Sequence, residues 1–114
     1  MGLGLRFTLA EDGAVESTFA GSAVFEGYTG RLHGGLIAAL LDGAMTNCLC
    51  AHGCEAVTAE LTVRYRHPVA PTTRMTLRAW LTESHEPLHL LRAELRQGEP
   101  VKAVASGKFL PSHE

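Results

Sequence analysis

The chain has 114 residues and a formal net charge of −2, with 46% hydrophobic and 19% charged residues. That is the composition of a globular chain with one core, expected as a single domain over residues 1–114. No excess of Lys and Arg is available for a phosphate backbone, and no basic segment flanks an apolar one, so neither nucleic acid nor membrane is an expected partner.

Met1 to Arg6 lacks the charged stretch and long apolar run of a secretory signal. Arg6–Ala10 reads as a short strand and Glu11-Asp12-Gly13 as a turn. Ala14–Phe19 reads as a second strand with imperfect alternation, and the glycines at 21, 27 and 30 punctuate a loop that runs to Leu32. Gly34 to about His52 is apolar on almost every side, which predicts a helix buried on every side, with Gly53 as its C′ residue. Asp42, Thr46 and Asn47 within it, and the lack of flanking anchors, argue against a membrane span.

Strands fill the rest. Ala56–Arg66 alternates without a break, with Val57, Ala59, Leu61, Val63 and Tyr65 on one side and Thr58, Glu60, Thr62, Arg64 and Arg66 on the other. His67-Pro68 ends it. Met75–Thr82, Leu91–Arg96 and Val101–Phe109 follow, with Pro87 and the turn Gln97-Gly98-Glu99-Pro100 between them. The pattern predicts an α+β fold in which an antiparallel meander curls around one helix.

Asp42 is the oddest residue, a carboxylate in the middle of an apolar helix. Such a group is costly unless compensated. It is either a structural acid held by backbone donors, an arginine or a small exposed stripe, or a general base or nucleophile at the mouth of a site. His33-Gly34-Gly35 opens the helix, where free amides and the positive end of the dipole favour a developing oxyanion. Paired glycines also serve simply as a tight helix entry. Thr46 follows Asp42 by four residues and either positions a water or the carboxylate, or bonds back to the carbonyl of residue 42. Arg64 and Arg66 share one strand face, which either meets a phosphate or is simply solvated. Cys48, Cys50 and Cys54, odd in number and bunched, make no disulfide framework and point to a reducing cytoplasm. With His52 they lack the spacing of common zinc sites, so no metal is expected.

The run Leu32-His33-Gly34-Gly35-Leu36-Ile37-Ala38-Ala39-Leu40-Leu41-Asp42 resembles the hotdog-fold thioesterases of the PaaI-like group. There a His-Gly-Gly turn opens the central helix and an acid follows nine positions after the histidine. The likeness continues through Val57–Val69 and covers roughly Phe25 to Phe109. It implies a hotdog fold: a curled antiparallel sheet of about five or six strands around one long helix. It also implies an acyl-CoA or other acyl thioester as substrate, no cofactor, and a homodimer or homotetramer with the site between subunits. Asp42 matches the catalytic acid. Gly34 matches the residue whose N–H polarises the thioester carbonyl, with His33 and Gly35 beside it. Thr46 and Thr58 fall where relatives carry hydroxyls that help place the nucleophile or water. Many members have Asn or Gln six positions before the histidine; here that position is Gly27. The competing readings are a non-catalytic acyl-CoA-binding module and an acyl-thioester dehydratase or hydratase, for which His33 would be the only catalytic histidine.

Overall fold

The alternating segments after Gly53 build one antiparallel sheet that curls round a single helix. A computed structural model describes residues 5–21 and 30–112. The elements in chain order are β1 (Thr8–Leu9), β2 (Val15–Ala20), α1 (Gly34–Ala51), β3 (Ala56–Tyr65), β4 (Arg74–His85), β5 (Leu88–Arg96) and β6 (Val101–Pro111). The sheet order is β1-β2-β4-β5-β6-β3. The expected loop before the helix, Gly27 included, lies mostly outside the described residues.

Three expectations need correction. The last four strands are not a simple meander. β4, β5 and β6 are, but β3 pairs with β6 and forms an edge of the sheet. The segment after β3 crosses the open end of the fold instead of turning back. Leu32 N–H donates to the Val69 carbonyl at 2.7 Å, and the Gln97 amide brackets Ala70, accepting from its N–H at 2.9 Å and donating to its carbonyl at 2.8 Å. Two prolines, Pro68 and Pro71, suit a segment that joins no ladder. Second, β4 and β5 are longer than the apolar alternation indicates, because their outer ends form an exposed polar hairpin around Glu86-Pro87. Third, the helix is not buried on every side.

That helix is long and apolar enough, by length and composition alone, to cross a membrane. Its apolar side is instead committed to the sheet. Ile37, Leu40, Leu41, Ala44, Met45, Cys48 and Leu49 are buried against Leu77, Leu91, Leu95, Ala103 and Phe109 of the strands. Each of the larger side chains contributes on the order of 1.5–3 kcal/mol of transfer free energy. The remaining stripe of Gly35, Ala38, Ala39, Asp42, Thr46 and Cys50 is half-buried or exposed. The sheet covers one side of the helix, and the described residues supply no second layer.

Both helix ends are capped. His33 is the N-cap, with Nδ1 accepting from the Gly35 N–H at 2.9 Å. At the other end Gly53, at φ +82°, donates to the Cys50 carbonyl at 3.0 Å and Cys54 N–H to that of Leu49 at 2.9 Å. These are the two bonds of a Schellman motif. His52 Nε2 lies 2.8 Å from the Gly13 carbonyl and ties this end to the β1–β2 turn.

Met45 of the helix packs closely over Gly107 of β6. A Cβ there would stand 2.7 Å from the Phe109 ring and 3.1 Å from the Met45 methyl. Gly107→Val is therefore expected to destabilise the fold by about 1–3 kcal/mol through overpacking, read as a lower urea midpoint at unchanged m-value.

Candidate functional site

The uncovered stripe of α1 meets the edge strand β3 at two hydrogen bonds. Thr58 Oγ1 donates to Asp42 Oδ1 at 2.6 Å, a charge-assisted distance, and Tyr65 Oη donates to the Gly34 carbonyl at 2.8 Å. β3 thus runs antiparallel to the helix and is fastened to it two turns apart.

The Thr58 contact depends on an irregularity that strict alternation misses. The β3–β6 register shifts between Thr58 and Glu60, so Ala59 has no partner opposite it. Such a bulge inverts the faces on either side of itself. Thr58 therefore points to the same side as Leu61 and Val63, which pack on the core, and not with Glu60, Thr62 and Arg64. Val57 is turned out and is 52% exposed.

Asp42 is half-buried. Thr58 occupies one carboxylate oxygen, and among the described residues Oδ2 has no hydrogen-bond donor. Thr46 does not join this pair. Its hydroxyl donates to the backbone carbonyl of Asp42 at 3.0 Å, the back-bonding alternative considered from sequence.

At the helix start the first four amides can be accounted for one by one. Gly35 N–H goes to the His33 ring, and Leu36 and Ile37 N–H both go to the His33 carbonyl at 3.1 Å. Among the described residues, Gly34 N–H has no acceptor. It is exposed at the positive end of the helix dipole. A groove of about 260 Å³ opens beside it, lined by Gly34, Arg31, Tyr65, Arg66 and His67 among others.

Sequence reasoning missed Tyr65 as a site residue. Alternation put it on the helix side of β3, and its position at the strand's end, opposite the His-Gly-Gly turn, becomes visible only with the strand–helix packing. Arg64 lies on the other face of the sheet, away from Asp42. Arg66 follows the end of β3 and lines both the groove at Gly34 and a hollow on that other face.

The cysteines do not converge. Cys48 is buried, Cys50 exposed and Cys54 intermediate, and no cluster of three or more His, Cys, Asp or Glu suited to a metal occurs among the described residues. Burial pushes the Cys48 thiol up from its ordinary value. Cys48 should therefore react with a maleimide last of the three, and only on unfolding. Mass mapping of a time course checks this order.

The chain belongs to the thioesterase superfamily, whose family model matches residues 29–104. No curated protein matches the sequence significantly. Among solved structures, a thioesterase superfamily protein, RHA08564, superposes with a TM-score of 0.89 at 25% identity over 93% of this chain. This chain spans only about half, 55%, of that protein's length. The PaaI protein of the Escherichia coli phenylacetic acid degradation operon superposes at 0.87 with 20% identity, covering 97% of this chain and 81% of its own. Smu.793 of Streptococcus mutans, solved bound to acetyl CoA, superposes at 0.90 with 16% identity, covering 100% and 93%. The fold is the hotdog fold expected from the His33–Asp42 segment.

Proposed function

We propose that this protein hydrolyses acyl thioesters of coenzyme A, with Asp42 as the base or nucleophile and Gly34 N–H as the oxyanion donor. The observation that carries this reading is the Thr58–Asp42 hydrogen bond. It fixes a carboxylate on the uncovered side of the helix and leaves its second oxygen free. The acetyl CoA bound to the Streptococcus mutans relative supports coenzyme A as the carrier.

In the base pathway a water gives its proton to Asp42 Oδ2 as its oxygen attacks the thioester carbonyl carbon. The negative charge collects on the carbonyl oxygen against Gly34 N–H. The carbon–sulfur bond then breaks, the thiolate takes up the proton, and a carboxylic acid and a thiol leave. In the nucleophile pathway Oδ2 attacks directly and the carbon–sulfur bond breaks to expel the thiolate; water then cleaves the resulting anhydride, which regenerates Asp42, releases the carboxylic acid and supplies the proton that the thiolate takes up.

The spacing of these groups supports a site shared with a second copy of the chain. Gly34 and Asp42 lie eight residues apart on one helix, about 12 Å along its axis at 1.5 Å per residue. Attack needs both groups at one carbonyl, with reacting atoms about 3–3.5 Å apart. In the proposed site Gly34 of one copy therefore meets Asp42 of another. The stripe that the sheet leaves open, the unpaired edge of β3, and the 52% exposure of both Val57 and Tyr65 support such a pairing. The protein should therefore sediment as a dimer or a larger closed oligomer at micromolar concentration; a monomeric mass would reject the proposed site.

Asp42→Asn should lower acyl-CoA hydrolysis by about two orders of magnitude or more, at an undiminished thermal midpoint. Gly34→Pro removes the oxyanion donor at the one helical position that tolerates proline. His33 already has the extended backbone, φ −61° and ψ 132°, that a following proline demands. A Cβ at Gly34 meets Tyr65 only at an ordinary 3.7 Å. The rate should fall about 10²–10³-fold in a folded protein.

Mixing the two variants under subunit exchange should restore roughly a quarter of the wild-type rate, because half the dimers then hold one intact site of two. If one chain supplied both groups, every site would stay defective and no activity would return. A wild-type protein that binds acyl-CoA but cleaves none of a broad panel would establish the non-catalytic module instead.

A further inference from the structure

The face of the sheet turned away from the helix carries a hollow of about 380 Å³ that the proposed chemistry leaves unused. Its shape follows from strand register. Trp80, Arg92, Ser106 and Thr62 lie side by side across β4, β5, β6 and β3, and Arg78, Glu94, Val104 and Arg64 form the next row. Short side chains on β6 make the floor, and long ones on the neighbouring strands make the walls.

Charge is unevenly balanced there. Several neighbouring cations on this face are paired, although among the described residues Arg74 and Lys102 are not: Arg78 binds Asp12 and Glu16, Arg96 binds Glu94, and Lys108 lies 3.4 Å from Glu60. These pairs use up the nearby carboxylates, including Glu94, the one acid lining the hollow, whose side chain is only 14% exposed. Arg64, Arg66 and Arg92 line the hollow and have no ion-pair or hydrogen-bond partner among the described residues for their guanidiniums. Three unpaired guanidiniums converging on one hollow, in a chain of net charge −2, call for an anion with several oxygens. The indole of Trp80 adds an aromatic wall of the kind on which a base stacks.

We propose that this hollow binds the phosphorylated nucleotide end of the coenzyme A thioester whose carbonyl sits at Gly34, an inference that rests on the thioesterase reading. Arg66 lines both the groove at Gly34 and the hollow, so a substrate arm leaving the helix N-terminus passes it on the way to Arg64 and Arg92. A second copy of the chain is the poorer occupant, since face-to-face docking presses unpaired like charges together.

The test titrates adenosine 3′,5′-bisphosphate into the full chain by calorimetry, a measurement independent of hydrolysis. Wild type should bind it, more weakly as salt rises. Arg64→Gln combined with Arg92→Gln should weaken binding by about tenfold or more, and Arg92→Lys alone by less. The preference of kcat/KM for acyl-CoA over the matching acyl-pantetheine, which lacks the nucleotide, should drop by a similar factor. Equal binding by wild type and double variant, or none by wild type, overturns the assignment even if acyl-CoA is still hydrolysed. So does a change of oligomeric state in the double variant, or arginine-dependent binding of an acidic carrier protein without binding of the bisphosphate. Arginine-dependent binding of the bisphosphate by a protein that cleaves no thioester upholds the hollow and removes the enzyme.

Discussion

The sheet covers one side of the helix and leaves the other open, and the described residues form one sheet and one long helix. The burial of Leu40, Leu41, Met45 and Leu49 is the main apolar term holding the helix to the strands. The same packing fixes which side is left over. Gly35, Ala38, Ala39, Asp42 and Thr46 stand there because their neighbours at helical spacing are committed to the core. The uncovered stripe is thus a consequence of the core and needs no separate device. Its small residues allow close approach by whatever covers it, and its one carboxylate is held by β3 at the stripe's border.

The N-terminus of the helix follows the same logic. A helix leaves its first four amides without intrahelical acceptors. Here His33 absorbs three of them through its ring and carbonyl, so among the described residues a single donor, Gly34 N–H, remains. The absence of a Cβ at Gly34 also keeps the amide open to approach, while Tyr65 holds the first turn from the side through the Gly34 carbonyl.

Much of this was legible in the sequence, and what was not has specific causes. Alternation located β3 to β6 because a half-buried strand must show period 2. It could not say that β3 lies beside β6, since the period reports faces and not neighbours. The helix, apolar almost all round, read as buried all round; an uncovered stripe of Gly and Ala is indistinguishable by hydrophobicity from a buried one. The spacing from His33 to Asp42 identified the fold family, and the helical rise it implies, about 12 Å between Gly34 and Asp42 along the axis, agrees with the site between subunits that the resemblance implies. Alternation placed Arg64 on the face away from the core, while Arg66 lies past the strand's end and borders both faces; the pattern carries no information on which carboxylates already have partners.

The irregularity at Ala59 connects the two faces of the protein. A strand of strict period 2 that turns Leu61 and Val63 to the core must turn Thr58 outward with Thr62 and Arg64. Asp42 would then lose its hydroxyl donor, or the core would lose two aliphatic side chains. One unpaired residue in β3 removes the conflict, placing Thr58 at Asp42, Leu61 and Val63 under the helix, and Arg64 on the outer face. β3 also meets the helix start through Tyr65, and Arg66 follows directly as the chain leaves the strand. This short stretch therefore borders the carboxylate, the free amide and the unpaired arginines, so the register of β3 against β6 governs how all three are placed relative to one another.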